Sequence, residues 1–234
     1  MMRVRPSNDR GLAEHGWLTS RHSFSFADYH DPHEMGFGDL RVINEDIIAG
    51  GGGFPPHPHR NMEILTYVLE GALRHEDSMG HGSVIKAGHV QRMTAGTGAV
   101  HSEANASLDA PVHLFQIWLL PDPTGYPPEY EQETPDRALR QGQFQTLASG
   151  QLQEPGLHWH QDARLLTAEL AAGADASYPL AAGRRAYLHV IDGELLIGTQ
   201  RLGTGDACRI EDETAVRLAA RKETQVLLFD LRGP

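Results

Sequence analysis

The chain has 234 residues, with 20 Lys+Arg against 31 Asp+Glu, a net charge of −11 at pH 7, and one cysteine, Cys208. That length holds one large domain or two small ones, each able to bury a core, and 40% apolar with 22% charged residues excludes a disordered chain. The acidic balance argues against direct nucleic-acid binding, and the lone thiol excludes an internal disulfide or a Cys-rich zinc site.

Residues 1–10 carry no apolar stretch of the signal-peptide kind, so a cytoplasmic protein is expected. Short β-type runs follow at residues 40–44, 64–69, 113–120, 187–191, 195–197 and 225–231, separated by Gly and Pro. Many short strands with frequent turn signals predict an all-β sandwich or barrel. The most apolar run, around residues 112–120, is interrupted by His113 and Gln116. It falls short of the roughly 20 residues that a membrane helix needs. Residues 121–133, rich in Pro, Gly, Tyr and Glu, predict a linker, and residues 135–148 a short amphipathic helix. The predicted domains are residues 1–134 and 135–234.

An internal repeat supports that division. Leu69-Glu70-Gly71-Ala72-Leu73 resembles Ile191-Asp192-Gly193-Glu194-Leu195 as strand, acidic residue, glycine, strand. A second glycine follows 17 residues on at Gly88 in one half and 12 on at Gly205 in the other, an offset explained by a five-residue insertion near residues 77–81.

Half of the 14 histidines lie between residues 57 and 113. His57-Pro58-His59 places two imidazoles at i and i+2, which share one face of an extended strand. His101-Ser102-Glu103 repeats the spacing 42 residues past His59. Two such strands converging across a barrel would form a cage of three imidazoles and one carboxylate, suited to Fe(II), Mn, Ni, Zn or Cu. His75, His81, His89 and His113 read as loop or hydrogen-bonded core residues. Glu63 has the parity of His57 and His59 if the strand stays extended, which would let it orient a ligand.

Several blocks together resemble the pirin family of bicupins. They are Phe24-Ser25-Phe26-Ala27-Asp28-Tyr29, Phe37-Gly38-Asp39-Leu40-Arg41, Gly53-Phe54-Pro55-Pro56-His57-Pro58-His59-Arg60-Asn61-Met62-Glu63, Asp77-Ser78-Met79-Gly80, and Gln91-Arg92-Met93-Thr94-Ala95-Gly96-Thr97-Gly98-Ala99-Val100-His101-Ser102-Glu103. The resemblance spans about residues 20–120. It implies two double-stranded β-helix (jelly-roll) barrels packed together, with a few short helices. It also implies one metal in the N-terminal barrel, held at His57, His59, His101 and Glu103. Fe(II) is the first choice, with Ni, Mn, Co, Cu or Zn as alternatives. Arg92 departs from the family, where an aromatic residue is frequent. Aligning Gly71 with Gly193 sets Pro179, Ala181, Leu218 and Ala220 against the four ligand positions, so the C-terminal barrel is expected to be degenerate and metal-free.

The implied activity is quercetin 2,3-dioxygenase chemistry, with a small aromatic substrate and O2 as partners. Glu103 or Glu63 would accept the flavonol hydroxyl proton, and Phe24, Phe26, Phe54 and Met62 would wall the flat substrate. The alternative is a non-catalytic, metal-binding regulatory protein that binds a protein partner. A deep open pocket at the metal would favour the enzyme, and a sealed metal the regulator.

Overall fold

The computed structural model describes residues 1–233. Its order is strand after strand, with two short 3-10 turns, Ser7–Asp9 and Arg137–Arg140. The all-β expectation holds, and each predicted β run lies within a strand or overlaps one. Among the described residues, no helix is long and apolar enough to cross a membrane.

Two compact units form: residues 11–135 with 159–161, and residues 1–10 with 136–158 and 162–234. In the first, a seven-stranded sheet runs in the order Glu129–Glu133, Val90–Thr94, Glu63–Glu70, Val112–Leu119, Leu40–Ile48, Leu18–His22, Gly11–Glu14. Its four-stranded companion sheet runs Gly53–His59, Ala99–Asn105, Ala72–Asp77, Gly82–Lys86. The second unit repeats the plan. Its seven strands are Met2–Arg5, Ala207–Ile210, Arg184–Asp192, Thr224–Arg232, Ala163–Leu170, Gln145–Ser149 and Leu157–His158. Its four are Asp175–Pro179, Ala215–Ala220, Glu194–Ile197 and Gln200–Gly203. The repeat seen in the glycines is therefore a repeat of architecture. Gly71 (φ +76°) and Gly193 (φ +98°) turn the equivalent hairpins in the left-handed region that favours glycine.

Three expectations are corrected. Residues 135–148 do not form a helix: one 3-10 turn capped by Asp136 ends near Gly142 (φ +73°), and the strand Gln145–Ser149 follows. Leu139 is more than half exposed, so the apolar face that would hold a helix is missing. The predicted linker contains the strand Glu129–Glu133, which pairs with Val90–Thr94 and covers that edge. The equivalent edge in the other unit is covered by Met2–Arg5 on Ala207–Ile210, so residues 1–10 cluster with the second unit, unlike the predicted 1–134 division.

In the second unit one continuous apolar cluster includes Leu188, Leu195, Val216, Leu218 and Leu228. In the first, apolar clusters form around Val68, Leu73, Ile85 and Leu114 and around Ile64, Met93 and Ala99. Leu114 is fully buried in the larger of them. Leu114→Ala is expected to remove about 2–5 kcal/mol of stability, read as an earlier urea midpoint.

Candidate metal centre

His57 stands on an edge strand, Gly53–His59, where prolines are tolerated because the outer N–H groups have no partner to serve. Pro55 and Pro56 cannot donate to the ladder. The register slips between them, with His101 facing His57 but Glu103 facing Phe54. Such a bulge re-aims side chains. Here it coincides with three imidazoles brought into a triangle: ring centroids are 4.5 Å apart for His57–His101 and 4.8 Å for both His57–His59 and His59–His101.

The ring atoms converge. Nε2 of His101 and Nε2 of His57 lie 3.0 Å apart. His57 Nδ1 lies 2.8 Å from the Pro55 carbonyl, which can accept a hydrogen bond from Nδ1–H and leave Nε2 with its lone pair free. His59 Nε2 is buried without a hydrogen-bond partner. Burial, followed by repulsion from His57, pushes the His59 pKa down to about 4. Burial, then His57, His59 and His75, push that of His101 to about 2. These two rings are therefore neutral at pH 7, the form that binds a metal. An orphaned buried nitrogen beside two facing nitrogens fits a divalent cation.

Glu103 lies one strand repeat further in. Gln116 Nε2 donates to both of its oxygens, at 2.9 and 2.8 Å, and Thr66 Oγ1 donates at 3.3 Å. Burial raises its pKa against the lowering effect of Gln116. Ligand atoms of Glu103, His101 and His75 lie within 4.8 Å of one another, as do those of His57, His59 and His101. His101 thus belongs to both groups.

His75 was not singled out by the sequence. It faces Glu103 in register, is fully buried, and pairs through Nε2 with Asp77 Oδ2 at 3.1 Å. Asp77 is held below the usual carboxylate range: burial raises it, but His75 and the backbone N–H groups of His81 and Met79 outweigh that. The signal was available, since His75 and Leu73 share strand parity and Leu73 is core.

Glu63 is not brought to the cluster. Asn61 (φ +49°) turns the chain after His59, and a new strand starts at Glu63, so parity does not carry across. The carboxylate is buried beside Thr94, whose Oγ1 donates to it at 2.9 Å, and it feels the charge of Arg92. Arg92 is itself buried and paired with Glu129 and Glu131.

The imidazole triangle and Glu103 line a cavity of about 870 Å³, within the range of small-molecule sites. Phe26, Phe54, Trp17 and Trp118 form aromatic walls, and the exposed Leu12 and Asp28 stand at its solvent side. Trp118 meets the His59 ring edge-on at 4.9 Å. Of the predicted wall, Phe26 and Phe54 line the cavity, whereas Phe24 is core and Met62 packs on the Ile64–Met93 cluster.

In the second unit, strand pairing sets Tyr178, Leu180, Val216 and Leu218 at the positions of His57, His59, His101 and Glu103. This corrects the sequence alignment by one or two residues: the segment before the glycine hairpin is one residue longer in the second unit, and the first unit gains seven residues rather than five between Gly71 and Glu103. The side chains at these positions are aliphatic, apart from Tyr178, whose hydroxyl donates to Asp230.

Residues 3–119 match the family model described as Pirin, and residues 146–231 that described as the Quercetinase C-terminal cupin domain. A quercetin 2,3-dioxygenase of Escherichia coli K12 is 46% identical over 231 residues, covering 99% of each chain. The crystal structure of YhhW from E. coli superposes with a TM-score of 0.96 at 44% identity, covering 100% of this chain and 99% of that one. A bacterial pirin YhhW in complex with nickel(II) gives 0.95 at 44% identity, with full coverage of both chains.

Proposed function

The chain belongs to the pirin family, and from that premise we propose that it is a metal-dependent dioxygenase cleaving a flavonol such as quercetin. The observation that carries this reading is the triangle of imidazoles set in the wall of a solvent-open aromatic cavity. His57, His59, His101 and Glu103 would hold one divalent transition metal, with Fe(II) the first choice and nickel(II) supported by the related complex. When bound, such an ion supplies the Lewis acidity that makes a flavonol hydroxyl acidic and the redox capacity that dioxygen chemistry uses.

The protein residues do the rest. The neutral imidazoles of His59 and His101 present lone pairs without first losing a proton. A carboxylate oxygen of Glu103 takes the proton from the flavonol 3-hydroxyl, and burial makes that oxygen more basic. Gln116 and Thr66 fix the carboxylate in place. Phe26, Phe54 and Trp118 stack on flat rings and exclude water. The open cavity favours this reading over a regulator with a sealed metal. The second unit is proposed to be structural, its corresponding positions being filled mainly by aliphatic side chains.

The test is anaerobic loading of the purified protein with Fe(II), Ni(II), Mn(II), Co(II) or Cu(II), followed by aeration with quercetin. Loss of the flavonol with release of carbon monoxide is expected. If none of the metals supports consumption, the reading fails.

A further inference from the structure

Beyond Thr66 and Gln116, which hold Glu103, the cavity carries polar side chains that the metal chemistry does not use. Thr66, Gln116, Asn44 and His22 stand in register across four adjacent strands of the seven-stranded sheet. Residues in such a row share one face. The row begins at Thr66 and Gln116, which hold Glu103, and ends at His22, whose Nδ1 lies 2.8 Å from Asn44 Oδ1. One repeat along the same face, Asp46 stands between Leu114 and Ser20. Ser20, His22, Asn44, Asp46 and Gln116 all line the cavity.

The second unit shows what this row looks like where no such site is present. Strand pairing sets Leu188, Leu228 and Leu166 at the positions of Thr66, Gln116 and Asn44, and Ala168 at that of Asp46. All four belong to its apolar core. The fold therefore does not need polar groups there. Burying them costs stability unless they are paired; Thr66 and Gln116 are paired with Glu103 and Asn44 with His22, which leaves Asp46 to be accounted for.

Asp46 is the least satisfied member. It is only 3% exposed, and its side chain accepts one hydrogen bond, from Ser20 Oγ to Oδ1. Burial first, then the nearby charges of Glu103 and Glu45, raise its pKa to about 7, with Ser20 and His113 opposing. A desolvated carboxyl with one donor gains from a second.

We propose that Asp46 is a specificity-determining residue that accepts a hydrogen bond from a phenolic hydroxyl of the substrate, so that the cavity selects polyhydroxylated aromatic rings over analogues lacking ring hydroxyls. This rests on the reading that flavonol-type molecules occupy the cavity. The Asp46 contact adds selectivity for a hydroxyl away from the reacting one, in a site whose aromatic walls alone would take any flat ring.

The experiment is calorimetric titration of the full-length, metal-free protein with quercetin and with 3-hydroxyflavone, which lacks the ring hydroxyls. The wild type is expected to bind quercetin about 10-fold more tightly or better. Asp46→Leu is expected to bring the two within about threefold of each other while keeping the affinity for 3-hydroxyflavone. If Asp46→Leu does not fold, Asp46→Asn decides: a fall of about threefold or more in the ratio supports the proposal, and an unchanged ratio overturns it. Equal wild-type binding, no binding of either compound, or full discrimination by Asp46→Leu also overturns it. Because the titration needs no turnover, a protein that discriminates but never consumes flavonol would sink the dioxygenase reading and leave this proposal standing.

Discussion

His101→Ala is expected to remove the metal and, with it, flavonol turnover. Metal content after loading and desalting should fall from about one ion per chain to a small residue, and turnover should drop by about a thousandfold or more. The size follows from position. His101 faces His57 through Nε2 and is the one imidazole shared by both candidate ligand groups. Removing it leaves the remaining groups without a common third partner. The fold should survive, because the His101 ring packs against the imidazoles of His57, His59 and His75. Its Nδ1 is also buried without a partner, so the substitution removes an unsatisfied polar atom. Far-UV circular dichroism and the melting temperature should stay close to wild type, apart from the stabilisation that the metal confers on the loaded protein. Retention of stoichiometric metal by a folded His101→Ala protein would show that the ion lies elsewhere.

Much of this architecture was legible because its signals are local. Alternation and Gly spacing marked the strands and the repeat, and both i, i+2 doublets lie on strands whose side chains share a face. What failed was everything that depends on pairing. The parity argument for Glu63 assumed one strand where Asn61 makes two. The alignment of the second copy slipped because the first unit gains seven residues, not five, between Gly71 and Glu103, a difference that only strand pairing reveals. His75 is a lone histidine in an acidic stretch, and only its register opposite Glu103 gives it meaning. Asp46 lies just past the predicted β run 40–44, and only strand pairing and burial show that it faces inward with Asn44. The edge strand Met2–Arg5 did carry a period-2 pattern, but its partner lies some two hundred residues away.

Glu103→Gln and Glu63→Gln should separate the predicted ligand and proton acceptor from the carboxylate that the sequence offered as its alternative. Glu103→Gln removes the anionic ligand and the proton acceptor together. Metal affinity should fall by about 10-fold to 100-fold or more, and turnover in the metal-saturated protein by at least about 100-fold. Gln116 then loses the charge that its amide served, so the pair cannot hold the same geometry as firmly. Glu63→Gln should leave turnover and metal content within about threefold of wild type, the ordinary scatter for a substitution outside a site. Its effect should appear instead in stability. Burial holds the Glu63 carboxyl above its ordinary 4.5 in the folded chain. The folded state therefore binds its proton more tightly than the unfolded state, and the wild type gives up stability as pH rises from about 4.5 through the raised value. The amide does not titrate, so the melting temperature of Glu63→Gln relative to wild type should rise between pH 5 and pH 8. Thermal melts at those two pH values, beside quercetin turnover for both variants, decide the assignment. Turnover lost in Glu63→Gln and kept in Glu103→Gln would transfer the proton acceptor to Glu63 and require the chain around Asn61 to rearrange when substrate binds.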